Sequence, residues 1–523
     1  MAPVATMLAG LGPPLAWWLA GAALLAAGVV VAFRNAVWVP VLAALAALAF
    51  GIAADGLVDD AYIQFRYAAN LARGEGPVFN PGERIEGASG GVWIAALAAG
   101  PAALGVDAGR WGRGLSLACA ALATLAAGLA VRAAAGAEAG AAAALLWAAV
   151  PSNAMYAATG LETSAYAAAL WLAVWAVAAA RARLAWISGA AVAALRPEAI
   201  VLGLAAAPWL RRPSPRLRTL LLATLGAAAV MAAARLAYFG APLPRSVTVK
   251  GFSAAAGPEF GVSYLARAAA EWWPLLVGVP FLLSRRRDLL PALAGAGAWT
   301  FLVVARGGDW MPGSRYLAPL LVLLVAGAAA SRRIWATASV IAMAVWGCLQ
   351  LAPVADPAAR LVGSSWRAMA EHRVQSRWWE ALGASLGSAL PRTTTLASGP
   401  SGALPYASGL PTVDMFGLCT VVTEEREGGT GHRLWGLRQA AGRRDIIYTG
   451  APVPQIHDAR AVVAAAEASV AGIPEFRLEY QPLVLLHSPE SQLDVVADAI
   501  WVRPAVAGLV VRWLGRLPAG VAR

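Results

Sequence analysis

DDAYIQFRYAANLARGEGPVFNPGERIEGASGGVW, residues 59–93, is the first long polar stretch of the chain, and it follows an apolar run with no linker between. Two adjacent carboxylates, Asp59 and Asp60, therefore sit at the mouth of an expected membrane span. Charge beside hydrocarbon is costly unless it is paired or used. Ionisable groups so placed are candidates for function. Tyr62, Phe65, Arg66 and Tyr67 follow with helical spacing, and a Gly/Pro-rich stretch then carries Asn80, Glu83, Arg84 and Glu86.

The rest of the chain explains why that stretch stands out. Of 523 residues, 59% are hydrophobic and only 13% are charged, against about 25% charged in soluble proteins. The class is a polytopic α-helical membrane protein. The formal charge of +12 does not indicate nucleic acid, because the arginines fall in short loops between apolar runs, the positive-inside pattern. Cys119, Cys348 and Cys419 follow no metal or disulfide spacing. Among 41 basic residues Lys250 is the single lysine, which invites a chemical reason for it. No cleavable signal peptide is expected, since the N-terminus lacks a positive region and its first apolar run is too long.

Spans of about 20 apolar residues are expected at 13–33 and 36–54, before the large loop of residues 55–114. Residues 92–104 are apolar but too short to cross, and are expected to lie in the interface. Further spans are expected at 115–133, 139–152, 164–180, 217–238, 272–284, 288–305, 316–331 and 334–353. Residues 184–210 would form one long helix but for Arg196-Pro197-Glu198. Proline breaks the hydrogen-bond ladder, so two shorter helices should meet there. The total is roughly twelve membrane helices, with arginine-only loops inside and mixed polar loops outside. Residues 1–353 thus form a membrane domain.

From 354 to 523 the composition changes to a soluble α/β domain on the outer side. Strand-like runs occur at TTTLAS, PTVDMF, DIIYT, FRLEY and LVLLHS, with helical patterns at 364–389 and 457–467. Residues 499–515 read as a short packed or interfacial helix.

The outer face gathers carboxylates and cations together. Fixed cations with lipid access suit a phosphate carried on a lipid, and a carboxylate beside them suits removal of a hydroxyl proton. That combination fits sugar transfer from a lipid phosphate in one inverting displacement. A leaving phosphate is stabilised by cations and needs no general acid, unlike the leaving group in a glycosidase.

The segment from Asp59 to Gly87 also resembles the first outer loop of the GT-C fold membrane glycosyltransferases. Further likeness follows in the same order: Gly160-Leu161-Glu162-Thr163, Arg196-Pro197-Glu198, the loop ending at Lys250, Gly307-Gly308-Asp309-Trp310-Met311, Asp414-Met415-Phe416-Gly417-Leu418 and Gly431-His432. The resemblance covers most of residues 55–450. It is similar in particular to the mycobacterial terminal arabinofuranosyltransferases, which use decaprenyl-phosphate arabinose. Looser cousins are mannosyl- or other hexosyltransferases, so the likeness does not fix the sugar. It implies a polyprenyl-phosphate sugar donor, a cell-envelope glycan or glycolipid acceptor, and work outside the plasma membrane. The arginine and alanine usage suits an actinobacterium.

By this resemblance the catalytic base is Asp59 or Asp60, with Asp59 favoured by similarity to the Asp-Glu pairs of protein mannosyltransferases. Lys250, Arg196, Arg245 and Arg315 are the expected phosphate partners. Tyr62, Arg66, Glu83, Glu86, Glu162, Glu198, Asp309 and Trp310 are the expected pocket walls. Ala88-Ser89-Gly90-Gly91 departs from the bulkier cousins and puts substrate contacts there in doubt.

Plainer roles stand beside these. The aspartates can cap a helix, and Glu162 can cap the one starting near Thr163. Arg196 can pair with Glu198, and Asp309 with Arg306 or Arg315. No cofactor is expected. The many carboxylates leave a divalent metal open, without a convincing ligand spacing. A transporter or lipid flippase is the rival from another class, although no second copy of the Asp59 loop is present. A non-catalytic envelope scaffold that binds glycan is the other.

Overall fold

Residues 13–32, 36–54, 56–211, 214–249, 258–309, 311–351, 365–414, 417–420, 446–448, 481–487 and 496–502 are described by a computed structural model. The apolar segments marked above between residues 13 and 351 fold as helix. The chain begins with α1 (Pro13–Ala32) and α2 (Val39–Ala53), the second with Pro40 in its first turn, where a missing N–H costs nothing. α3 (Asp59–Ala72) and α4 (Gly91–Ala99) belong to the first loop, and α4 runs into a π turn at Gly100–Leu104. The indole of Trp93 donates to the Gly160 carbonyl at 3.0 Å, and that of Trp111 to Ala96 at 2.9 Å. These bonds hold the short apolar helix against the protein.

α5 (Ala108–Ala135) is capped by the Asp107 carboxylate, which accepts from the Gly109 and Arg110 amides. α6 (Ala137–Ala149), α7 (Pro151–Ala157) and α8 (Thr163–Ala178) return and pack on it. Their alanine-rich faces let backbones approach closely, which is how helices associate in lipid. Between them Trp147 and Trp171 meet edge to face at 5.4 Å.

α9 (Ala182–Leu195) stops where Arg196 turns extended, and Pro197 opens a 3₁₀ turn into α10 (Ile200–Ala206). Then come α11 (Pro215–Phe239), α12 (Arg245–Val249), α13 (Pro258–Glu271), α14 (Val279–Ser284), α15 (Arg286–Ala305), α16 (Ala318–Ala329) and α17 (Arg333–Leu351). Among the described residues, four helices are long and apolar enough to cross a membrane: Leu15–Ala32, Ala108–Ala135, Pro215–Phe239 and Arg286–Ala305. Eight more apolar helices are 10–17 residues long.

Beyond them lie α18 (Ser365–Ala389), β1 (Leu396–Ser398), α19 (Ala403–Ser408), β2 (Thr412–Asp414), β3 (Ile446–Tyr448), β4 (Gln481–His487) and β5 (Val496–Val502). The five strands form one sheet of order β2-β1-β3-β5-β4. β1 pairs in parallel with β2 and β3, and β5 pairs antiparallel with β3 and β4. β5 corrects the helix expected to start at 499. A short apolar run reads equally as helix or strand. Here Ile500, Trp501 and Val502 pair with β4, as β-branched and aromatic residues favour. The runs FRLEY and 457–467 lie outside the described residues.

Candidate active site

The two aspartates open α3, where the helix N-terminus favours negative charge. Successive helical residues point about 100° apart, so the neighbours face different partners. The Asp59 carboxylate accepts from the backbone N–H of Ala403 at 2.7 Å and of Gly402 at 3.2 Å, at the start of α19. A Cβ on Gly402 would collide with the backbone oxygen of Asp59, so glycine is required there. Burial pushes the Asp59 carboxyl up to about 7, with Asp60 and Asp414 adding to it and the two amides opposing. These bonds join the first loop to the C-terminal segment.

Asp60 instead lines a cavity of about 620 Å³, and its carboxylate lies 3.6 Å from Nη2 of Arg315. Arg315 is buried and also donates from Nε to Asp309 at 2.6 Å. Its guanidinium lies over the Tyr316 ring at 5.1 Å. The residue before it, Ser314, holds a left-handed backbone with φ 51°. Such a conformation costs about 1–3 kcal/mol and recurs at functional sites.

On the same cavity wall, Gln64 donates to Glu162 at 2.9 Å, and Glu162 pairs with Arg196 at 3.0 Å. Glu162 occupies the N-cap position of α8, but its side chain makes no capping bond to that helix. Burial pushes the Glu162 carboxyl up, but Arg196, Arg315 and Gln64 outweigh it and hold it below its ordinary value. Arg196 takes Glu162 as its salt-bridge partner where Glu198 was the expected one. Glu198 lines the cavity. So do Arg267, from α13, and Arg306, whose Nη2 donates to the Val247 carbonyl at 2.8 Å. Arg196 is buried behind this wall, under the rings of Tyr166 and Tyr316. Four carboxylates and three guanidiniums thus line one cavity, with Arg196 behind it.

Several expected pocket residues are structural. Arg66 is buried and donates to the carbonyls of Phe79 at 2.7 Å and Leu410 at 2.8 Å, to that of Pro405, and to the Asn80 side chain. Burial pulls its guanidinium down to about 10. The Tyr62 hydroxyl donates to Glu380 at 2.8 Å. Glu83 is exposed and accepts from Asn80 at 3.1 Å. Glu86 is buried with both oxygens 3.0 Å from Nε of Arg235, in α11. Arg245 donates to the Gly417 carbonyl at 2.6 Å. None of these five lines the cavity. A Cβ on Gly87 would lie 2.9 Å from Cys419 Cα and Leu418 O, so the loop presses closely on that turn. Lys250 and Trp310 lie outside the described residues.

Gln64, Arg235 and Arg267 were not expected. Arg235 was hidden inside an apolar run, where an arginine needs a buried partner. Arg267 lies in α13, a helix with no long apolar run to announce it. Among the described residues no three His, Cys, Asp or Glu side chains gather in a way that could hold a metal ion.

Comparisons with known proteins bear on the fold. Residues 365–481 match a family described as a domain of unknown function (DUF8728). No curated protein matches the chain in sequence. Among solved structures the chain is similar to ArnT from Cupriavidus metallidurans bound to undecaprenyl phosphate. That pair is 13% identical with a TM-score of 0.52, over 90% of this chain and 98% of that one. The same protein in its apo state matches at 12% identity and a TM-score of 0.51, over the same shares. At this identity the likeness establishes the fold: a mostly helical, ArnT-like GT-C architecture.

Proposed function

We propose that the protein is an inverting membrane glycosyltransferase that moves a sugar from a polyprenyl phosphate to a hydroxyl of a cell-envelope glycan or glycolipid. The observation that carries this reading is Asp60, held by Arg315 on the wall of a cavity that also presents Arg267 and Arg306. ArnT, which shares the fold, was captured with undecaprenyl phosphate. We take the same class of lipid for this chain. The sugar we favour is arabinofuranose, on the resemblance of the first loop. The cavity and the C-terminal segment then face outside the plasma membrane.

In the step we propose, the Asp60 carboxylate takes the proton of the acceptor hydroxyl. The acceptor oxygen bonds to the anomeric carbon as the bond from that carbon to phosphate oxygen breaks. The electron pair leaves on the polyprenyl phosphate, whose charge Arg267 and Arg306 balance. One displacement inverts the anomeric centre. Arg315 positions Asp60, and Asp309 positions Arg315.

The test is purified protein in liposomes with radiolabelled polyprenyl-phosphate arabinofuranose, and in parallel polyprenyl-phosphate mannose. Labelled glycan product supports the reading, and the donor giving more of it names the sugar. Donor carried across the bilayer intact, or left untouched, would overturn it.

A further inference from the structure

The polar groups of the cavity wall are not all satisfied within the protein. Gln64 is buried, and its Nε2 donates to Oε2 of Glu162. A carboxylate only accepts, so this bond fixes which end of the amide faces Glu162. Oε1 of Gln64 is therefore left at the wall, shielded from solvent and without a hydrogen-bond partner. Oε2 of Glu198 is in the same condition, and Glu198 lines the same cavity. The two are linked through one polar chain, Gln64 to Glu162 to Arg196, with Glu198 two residues further on. Arg196 is already engaged by Glu162 and stacked between the Tyr166 and Tyr316 rings. Tyr316 itself lines the cavity.

Both of these atoms are acceptors, and Ser246 Oγ on the same wall is also without a partner and can donate or accept. Buried acceptors left unmade are rare and call for an explanation. A ligand meeting two acceptors beside an aromatic ring should bring neutral donors and a ring face. A full positive charge is less apt, because Arg196 already stands beside Glu198. A phosphate is excluded there, since it brings only acceptors of its own to a carboxylate.

We infer that Gln64 and Glu198 form the hydroxyl-recognition subsite of the transferred sugar, and that this subsite sets which sugar is accepted. The inference rests on the glycosyltransferase reading and adds to it. It assigns the sugar hydroxyls to Gln64 and Glu198, and leaves the phosphate to Arg267 and Arg306. Sites built to hydrogen-bond a hydroxyl reject analogues that lack it far more strongly than apolar pockets discriminate size.

The experiment uses the full chain and two variants, Glu198→Gln and Gln64→Met, each confirmed as folded by its thermal midpoint. Binding is measured with bare polyprenyl phosphate, with the sugar phosphate that serves wild type best, and with deoxy analogues of that sugar. The sugar should tighten wild-type binding over bare lipid phosphate, and each missing hydroxyl met by the subsite should weaken it about tenfold or more. Both variants should bind bare polyprenyl phosphate like wild type and lose discrimination between the sugar and at least one deoxy analogue. Unchanged discrimination in both variants would overturn the assignment. So would an equal loss of affinity for bare and sugar-bearing lipid. If wild type transfers no sugar from any donor, the underlying reading fails instead, and the binding series shows this separately.

Discussion

Two carboxylates that adjoin in the chain do different work because a helix turns about 100° per residue. Asp60 faces the cavity and Arg315, and Asp59 faces the amides of Gly402 and Ala403. Substituting each should therefore give different signatures. Asp60→Asn should lower kcat for sugar transfer by about 10²–10⁴-fold, the usual worth of a general base. Its binding of bare polyprenyl phosphate should stay within about threefold of wild type. Asp59→Asn should act on stability, with a pH dependence that can be worked out. The Asp59 carboxyl titrates at about 7 in the folded protein and at about 3.9 in an open chain. Between those values the folded state binds more protons, so this contribution is full below about pH 4 and is lost as pH rises to 7. The thermal midpoint of wild type minus that of Asp59→Asn should fall from about pH 4.5 to about pH 7.5. A constant gap would contradict that account. The sequence placed both residues at the membrane lip but could not separate them, because the difference lies in a partner more than three hundred residues away.

At the scale of elements, buried ion pairs fasten the first loop to the bundle. Arg235 in α11 and Glu86 in the loop are 4% and 6% exposed at the side chain and 3.0 Å apart. Burial pushes the Glu86 carboxyl up despite that partner. Arg235→Met leaves a lone buried carboxylate and should cost about 3–5 kcal/mol, whereas the double variant Arg235→Met/Glu86→Leu should recover most of it. Thermal unfolding in one detergent compares the three. Helix positions were legible in the sequence because apolar length and proline are local signals, as the break at Pro197 illustrates. Pairings such as Glu86 with Arg235 were not, because they depend on which helices become neighbours. β5 escaped for another reason: its run of Ala499 to Val502 suits helix and strand alike until β4 supplies the hydrogen bonds.

At the scale of the whole molecule, charge is what supports the proposed orientation. Arginine-only loops alternate along the sequence with mixed polar loops, which the positive-inside rule reads as inner and outer faces. In a background with Cys119, Cys348 and Cys419 replaced by alanine, Ala384→Cys should react with an impermeant maleimide from outside intact cells. Arg332→Cys should react only after the membrane is opened. Both positions are exposed on the protein. The reverse pattern would place the cavity in the cytosol and remove the basis for envelope glycan as acceptor. That carboxylates and guanidiniums would share one cavity was legible from residue types alone. Its geometry was not: Arg267 and Gln64 came to the cavity only through the fold, and Arg66 left it to join carbonyls of the loop and the C-terminal segment.

The bond from Asp59 to the start of α19 has a pharmacological side. A single peptide unit joins that anchor to Asp60, so a nudge to the C-terminal segment turns the proposed base as well. On the proposed outward orientation, a nanobody should therefore slow turnover while leaving lipid affinity untouched, if it grips the exposed turn after α19 at Gly409 and Pro411. Such an agent would never need to pass the bilayer or compete with a greasy substrate.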